Sequence, residues 1–163
     1  MDWVTSVEAW FSGALTDLLN GTNGLDVVQD RRDTFGADMV GLIIDDGQYC
    51  GLAAGILPGE ASAYQVTDYT CATGYYSFGH EFGHLQGARH DTWVDTATWP
   101  YTYGHGYVNV PDRWRTIMAY NTECDDTAPY TYCTRLQYWS NPNKNYTADH
   151  DHGDLLADPM GDA

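Results

Sequence analysis

The feature that most constrains this chain is the run HEFGHLQGARH, which begins at His80 and ends at His90. His80 and His84 are four residues apart, so on an α-helix they lie on the same face and can direct both imidazoles at one ion. Gly87 tolerates the backbone conformation that ends a helix, and His90 can then return as a third ligand. The run therefore predicts a helix over residues 75–86 that carries a metal site.

The three histidines predict a catalytic metal site. Three neutral imidazoles leave one position of a tetrahedral Zn²⁺ open, as in catalytic rather than structural sites. We expect that position to hold a water whose pKa the single catalytic zinc lowers. Glu81 follows the first ligand directly, so it is the expected general base in the attack of this zinc-bound water. A helix whose histidines serve only in the core is the alternative.

The chain is strongly acidic, with 23 Asp and Glu against 7 Lys and Arg and a formal net charge of -16. Nucleic-acid binding requires a basic face, and an anionic membrane surface repels such a chain, so we expect neither partner. The charge either keeps the protein soluble or steers cationic substrates toward it. Asp125-Asp126 and residues 149–154 offer oxygen ligands for Ca²⁺, but they lack an EF-hand pattern, so solvated charge is the alternative.

Four cysteines are present, and none forms a C-x-x-C pair, so a thiolate zinc site is not indicated. An even number suits two disulfides and an oxidising compartment. Three pairings are open. We favour Cys50–Cys71 and Cys124–Cys133, because each closes a short loop, and buried free thiols are the alternative.

Hydrophobic spacing predicts an α+β fold in a single domain, residues 1–163, with an N-terminal half (1–90) and an irregular C-terminal half (91–163). Thr73 is the expected cap of the helix that carries the first two histidines. The other predicted elements are helices over Thr5–Asn20 and Leu25–Thr34, a buried strand over Ala37–Ile44, and short strands over Cys50–Ala54 and Ser62–Tyr69, the last at a sheet edge.

The pattern H-E-x-x-H-x-x-G-x-x-H resembles the metzincin zinc peptidases. Longer segments are similar to the bacterial peptidyl-Asp metalloendopeptidases, namely residues 71–91, 103–107, 113–120 and 138–142. The resemblance covers most of the chain from Leu25 onward. It implies a metzincin-like fold, with a small mixed sheet and helices, and zinc-dependent cleavage on the N-terminal side of Asp or Glu with no covalent intermediate.

The same resemblance implies roles for residues around the histidines. Met118, 28 residues after His90, is expected in a Met-turn (Thr116–Tyr120) that forms an apolar floor beneath the ligands. Tyr120 is expected to stabilise the oxyanion, with a core tyrosine as the alternative. Asp91 and Gly87 are expected to fix the ligand loop, although a plain surface Asp is also open. His105 is interpreted as a loop residue rather than a fourth ligand.

Substrate contacts are predicted at an edge strand and at a cation. Metzincins bind the substrate backbone along such an edge, for which we predict Tyr64, Gln65 and Val66, with an internal strand as the alternative. An acidic substrate side chain requires a positive partner. The candidates are Arg113, Arg115 and Arg135, of which Arg115 is preferred because it precedes the Met-turn.

Family members usually begin with a strand, a helix and a strand upstream of residue 1 and continue with a helix after Met160-Gly161. We therefore expect a chain truncated at both ends, from a secreted, monomeric enzyme that acts outside the cell or in the periplasm, although no signal peptide is visible. The main rival is a catalytically inactive zinc-binding domain that grips peptides, and an acidic calcium-binding module is the third hypothesis.

Overall fold

The computed structural model describes residues 11–129, 131–141, 143, 145–146 and 154–155. The chain divides into two compact units, Met1–Gln86 and Gly87–Ala163. That residues 1–163 form one catalytic domain stays a prediction. The Asp-rich tail with its two histidines and Met160-Gly161 lies outside the described residues, apart from Asp154. No described helix is both long and apolar enough to cross a membrane.

The N-terminal unit begins with two helices, α1 (Phe11–Asn20) and α2 (Val27–Phe35). Both fall within two residues of their predicted ends, except that the predicted start of the first at Thr5 lies outside the described residues. The apolar face of α1 is buried because its residues recur at helical spacing, with Phe11 and Leu18 at most 1% exposed. Gly36 ends α2 in the left-handed conformation, with φ of 63°.

A three-stranded sheet follows, formed by β1 (Val40–Ile44), β2 (Gly51–Ala53) and β3 (Tyr64–Asp68). The strand order is β1-β3-β2, with β3 parallel to β1 and antiparallel to β2. Tyr64 and Val66 of β3 pack with α1 in one hydrophobic core.

Two predictions about this sheet are wrong. The strand predicted at the edge is the central strand β3, whose five residues are all buried. The strand predicted to be buried, β1, is an edge strand of the described sheet, and its Ile43 is 53% exposed.

Two short helices follow the sheet, and the second carries the first two histidines of the predicted metal-binding run. Asp68 caps α3 (Tyr69–Ala72), a helix that the sequence did not predict, by accepting a hydrogen bond from the Thr70 amide at 2.9 Å. α4 (Ser77–Leu85) begins two residues later than predicted. Thr73 does not cap it, because Thr73 ends α3 and the left-handed Tyr76 precedes α4.

The described residues of the C-terminal unit are mostly irregular, as predicted. A small sheet contains β4 (Val108–Asn109), β5 (Trp114–Arg115) and β6 (Thr134–Arg135) in that order. The remaining described elements are α5 (Thr122–Asp126) and the paired strands β7 (Asn145–Tyr146) and β8 (Asp154–Leu155). Trp114 is 2% exposed and packs with Tyr107 and Tyr146, so aromatic rings supply much of this core. The mixture of helices and small sheets agrees with the predicted α+β class.

Disulfides Cys50–Cys71 and Cys124–Cys133 are both present, which is the pairing that the short loops favoured. The first joins the residue before β2 to α3, and the second joins α5 to the residue before β6.

Candidate metal centre

The helix α4 holds the first two predicted ligands on one buried face. The exposed fractions of His80 and His84 are 5% and 9%, and their ring centroids lie 4.7 Å apart. The spacing of four residues produces this arrangement, since it corresponds to one helical turn. The amide of Leu57 donates to the His84 carbonyl at 2.9 Å, which satisfies one of the carbonyls left unpaired at the end of the helix.

The third predicted ligand follows a turn at Gly87, whose φ is 98°. A Cβ at this position would lie 2.8 Å from the Tyr101 ring, so both conformation and space require glycine. The structure brings one donor atom from each of His80, His84 and His90 within 4.8 Å of the others. Among the described residues, these three histidines are the one group of three or more His, Cys, Asp or Glu side chains whose potential ligand atoms lie this close together.

The donor set fits zinc. Imidazole nitrogens bind Zn²⁺ at about 2.0–2.1 Å, which places tetrahedral ligands about 3.3 Å from each other. Donor atoms within 4.8 Å of one another therefore need only small side-chain adjustments to share one ion. Imidazole also suits copper, iron and nickel, so the geometry establishes a candidate transition-metal site rather than one particular ion.

Glu81 lies beside the strand β2. Its side chain is 6% exposed, and a Cβ built on Gly51 would lie 2.5 Å from its Cγ and 2.7 Å from its Cδ. Only glycine leaves room for this carboxylate at the strand. The predicted base is thus held between its helix and an edge strand of the described sheet, within the N-terminal unit.

Asp91 connects the ligand loop to the Met-turn. Its carboxylate accepts from the amides of Tyr120 at 2.8 Å and Trp93 at 3.2 Å, and the residue is 2% exposed. A plain surface Asp is therefore excluded. These contacts support the predicted role in fixing the loop.

Tyr120 lies against the third ligand. Its ring centroid is 4.2 Å from that of His90, and the residue is 45% exposed, so the alternative of a core tyrosine is wrong. A stabilising role for its hydroxyl stays a prediction.

Met118 is 1% exposed within a buried stretch of the Met-turn. Gly106 approaches this turn so closely that its Cβ would lie 2.7 Å from the Met118 carbonyl carbon. The turn is therefore tightly packed in the C-terminal unit. That Met118 forms a floor beneath the histidines stays a prediction.

The three candidate arginines differ in what they contact. Arg115 is half-buried and donates to the carbonyls of Cys133 at 3.2 Å and Ala119 at 2.5 Å. Burial lowers the pKa of its guanidinium. Arg135 donates to the Ile117 carbonyl at 2.9 Å, and Arg113 is exposed. Arg115 and Arg135 thus brace the Met-turn backbone, and binding of an acidic substrate by Arg115 stays a prediction.

The predicted substrate strand needs correction. Tyr64, Gln65 and Val66 are at most 1% exposed, and β3 is hydrogen-bonded to a strand on each side. No backbone edge remains for a peptide there. β2, in contrast, pairs with β3 on one side only in the described sheet.

The sequence interpretation missed one residue of this region. His105, interpreted as a loop residue, is 5% exposed, and its Nδ1 lies 2.7 Å from the His90 carbonyl oxygen. It also forms a parallel bridge with Arg89. The only local signal is its position between two glycines, Gly104 and Gly106, and this pattern indicates close backbone packing rather than a role for the imidazole.

Comparison with known proteins identifies related chains. A family model described as metallo-peptidase family M12 matches residues 9–140. The peptidyl-Asp metalloendopeptidase of Stenotrophomonas maltophilia strain R551-3 is 46% identical over 140 residues, which are 83% of this chain and 32% of that protein. The protein of the same name from Pseudomonas fragi is 54% identical over 96 residues, 58% of this chain and 60% of that one.

A third relative, also named peptidyl-Asp metalloendopeptidase, comes from Xanthomonas campestris pv. campestris and is 48% identical over 75% of this chain and 27% of its own. The chain thus spans about a third or less of the Stenotrophomonas and Xanthomonas relatives. A solved structure described as "Structure of a chaperone-substrate complex" matches 93% of this chain and 24% of its own, with a TM-score of 0.61 and 20% identity. That likeness concerns the fold alone.

Proposed function

Because this chain belongs to metallopeptidase family M12, we propose that it forms the catalytic region of a zinc-dependent endopeptidase. The observation that carries the proposal is the convergence of three imidazole donor atoms within 4.8 Å of one another, on a helix and loop that also carry a buried carboxylate. Glu81 is adjacent in sequence to the first of these ligands. A peptide-binding domain without turnover would have no use for a base at this position.

His80, His84 and His90 would hold the metal. Zinc supplies a Lewis acid that lowers the pKa of water and polarises a carbonyl group. The histidines are neutral when they bind metal, so three of them leave the full positive charge of the ion to act on the substrate.

Glu81 is the proposed general base. Its carboxylate takes a proton from the attacking water and delivers it to the nitrogen of the leaving amine when the peptide bond breaks. The helix α4 and the backbone at Gly51 confine the side chain, so little reorientation is needed before proton transfer. The Tyr120 hydroxyl is the proposed donor to the oxyanion, which its exposed ring beside His90 supports.

The substrate backbone is proposed to extend along β2 rather than β3. β2 occupies an edge of the described sheet, and an extended peptide can continue the sheet there through main-chain hydrogen bonds. Glu81 contacts this strand at Gly51, so a peptide on β2 would lie beside the base.

Specificity for acidic residues is proposed from the relatives, which are named for peptidyl-Asp cleavage. Cleavage on the N-terminal side of Asp remains the expectation. Arg115 is the candidate partner for the acidic side chain, since its hydrogen bonds to the Cys133 and Ala119 carbonyls and to the Tyr132 side chain occupy only part of a guanidinium with five N–H donors. Two disulfides favour action in an oxidising compartment, outside the cell or in the periplasm.

The test is to compare the zinc-loaded wild type with Glu81→Gln on paired peptides that contain either Asp or Asn at one position. We expect chelator-sensitive cleavage before Asp by the wild type. The amide variant should lose about 10²–10⁴-fold in kcat and keep its zinc.

Three outcomes separate the hypotheses. Equal cleavage of the Asp and Asn peptides would support the peptidase activity but refute the specificity for Asp. Undiminished activity of Glu81→Gln would refute the assignment of the base. A folded wild type that binds zinc and peptide without cleaving would establish the inactive binding domain instead.

A further inference from the structure

A buried polar network in the C-terminal unit begins at the backbone of the third ligand. The Nδ1 atom of His105 lies 2.7 Å from the His90 carbonyl oxygen. The carbonyl of His105 in turn accepts from the Ser140 hydroxyl at 3.0 Å. Ser140 and Thr116 share a hydroxyl–hydroxyl hydrogen bond of 2.9 Å. The network thus connects the ligand loop to the first residue of the Met-turn.

The network is shielded from solvent along its length. The exposed fractions of His105, Thr116 and Ser140 are 5%, 0% and 9%. Buried polar groups lose their water, so each is costly unless a partner replaces it. Thr116 also accepts from the Tyr107 amide at 2.8 Å, which closes the network onto the main chain beside β4.

The backbone around His105 is tied to the ligand loop as well. The Arg89 amide donates to the Gly104 carbonyl at 2.6 Å, and the Gly106 amide donates to the Arg89 carbonyl at 3.0 Å. These bonds place the His105 ring beside the residue that follows Arg89, which is the third ligand. The main chain therefore sets the position of the imidazole, and the imidazole holds the His90 carbonyl.

The direction of the central hydrogen bond follows from its chemistry. A carbonyl oxygen only accepts, so Nδ1 of His105 must carry the hydrogen. A side chain without a donor at this point would leave the His90 carbonyl without this bond. The ligand loop could then rotate about the residue whose imidazole must meet the metal.

We propose that His105 is a positioning residue, which with Ser140 and Thr116 fixes the backbone of His90 so that its imidazole meets the metal in one orientation. The proposal rests on the proposed metal function of His90. It assigns a role to the Tyr-Gly-His-Gly-Tyr segment (residues 103–107) without making His105 a ligand. Loss of comparable groups that orient metal ligands costs about 10–100-fold in metal affinity or activity.

The experiment compares His105→Ala with His105→Asn, because an Asn side-chain amide can place an N–H close to the position of Nδ1. Zinc affinity is measured by competition with a chromophoric chelator, and the visible absorption spectrum is recorded after loading with Co²⁺. We expect His105→Ala to lose about 10–100-fold in zinc affinity and to change the Co²⁺ spectrum. His105→Asn should recover most of the affinity and the wild-type spectrum.

A second variant, Ser140→Ala, tests the network from its other end and keeps the proposal testable if His105→Ala does not fold. It should weaken zinc binding in the same direction by a smaller factor. Ser12→Ala, an exposed position on α1, is the matched control and should leave zinc affinity unchanged. Circular dichroism and thermal melting of the apo proteins establish that each variant is folded.

The outcomes distinguish this proposal from the proposed function. Wild-type zinc affinity and Co²⁺ spectrum in folded His105→Ala would overturn the positioning role while leaving the peptidase intact. Equal losses of zinc affinity in the Ala and Asn variants would show that the N–H donor of residue 105 does not determine zinc binding. That result would also overturn the positioning role. A wild type that binds no zinc would overturn both proposals together.

Discussion

A single added methyl group at Gly51 should disable the proposed base without changing its chemistry. The Cβ of an alanine at this position would lie 2.5 Å from Cγ and 2.7 Å from Cδ of Glu81, whereas ordinary contact begins near 3.4 Å. The Glu81 side chain must therefore move by about 1 Å. Misplacement of a catalytic group by 1 Å can cost about 10²-fold in rate, which corresponds to about 2.7 kcal/mol of activation free energy.

We expect Gly51→Ala to reduce kcat by about 10²-fold on an internally quenched peptide that contains Asp, with zinc content unchanged. Gly59→Ala is the matched control, because a Cβ added there would meet nothing within 4 Å and the φ of Gly59 is negative. Its kcat should match the wild type. A folded Gly51→Ala variant with wild-type kcat would refute the placement of the base against β2.

Three further predictions concern stability. Hydrogen bonds from Thr70 and two loop amides lower the pKa of Asp68, so Asp68→Asn should reduce Tm most near neutral pH, and the difference should close as the pH falls below about 4. Burial, followed by the charge of Asp91, raises the pKa of Glu123, so Glu123→Gln should raise Tm at pH 7 and have no effect in acid. Replacing Cys124 and Cys133 with Ala should cost about 2–3 kcal/mol in urea unfolding, because their bond closes a loop with a sequence separation of 9. A Tm difference that does not change with pH would contradict the expectation for either carboxylate variant. An unchanged midpoint of urea unfolding would contradict the expectation for the disulfide.

The candidate metal-binding segment could be predicted from sequence because its geometry depends on local rules. Two histidines four residues apart share a face of any helix, and a glycine after the last turn allows a positive φ. The structure has this helix and a φ of 98° at Gly87. The cysteine pairing could also be predicted from sequence, because the preference for short loops favoured one of the three possible pairings.

The position of β3 could not be inferred in the same way. Gln65 and Thr67 are polar residues that alternate with apolar ones, and this pattern is typical of a strand with one face in water. In the structure both are buried, with the Thr67 hydroxyl donating to the Gln65 side chain at 2.6 Å. Strand order depends on contacts between distant segments, which local alternation does not encode.

The contacts of His105, and with them its proposed role, could not be predicted for a related reason. Its partner carbonyl lies 15 residues earlier in the chain, and its other contact, Ser140, lies 35 residues later. No spacing rule connects such positions. The cap at Asp68 was not predicted for another reason. The helix α3 contains only four residues, which is too short to show the spacing of hydrophobic residues that identifies a helix.

Both disulfides close within one unit, since Cys50–Cys71 lies before Gln86 and Cys124–Cys133 lies after Gly87. All four cysteines of the chain are used in these bonds. The peptide backbone is therefore the only covalent connection between His84 and His90. A single proteolytic nick between these two residues would yield fragments that separate on a denaturing gel without any reductant, and it would divide the three histidines between them.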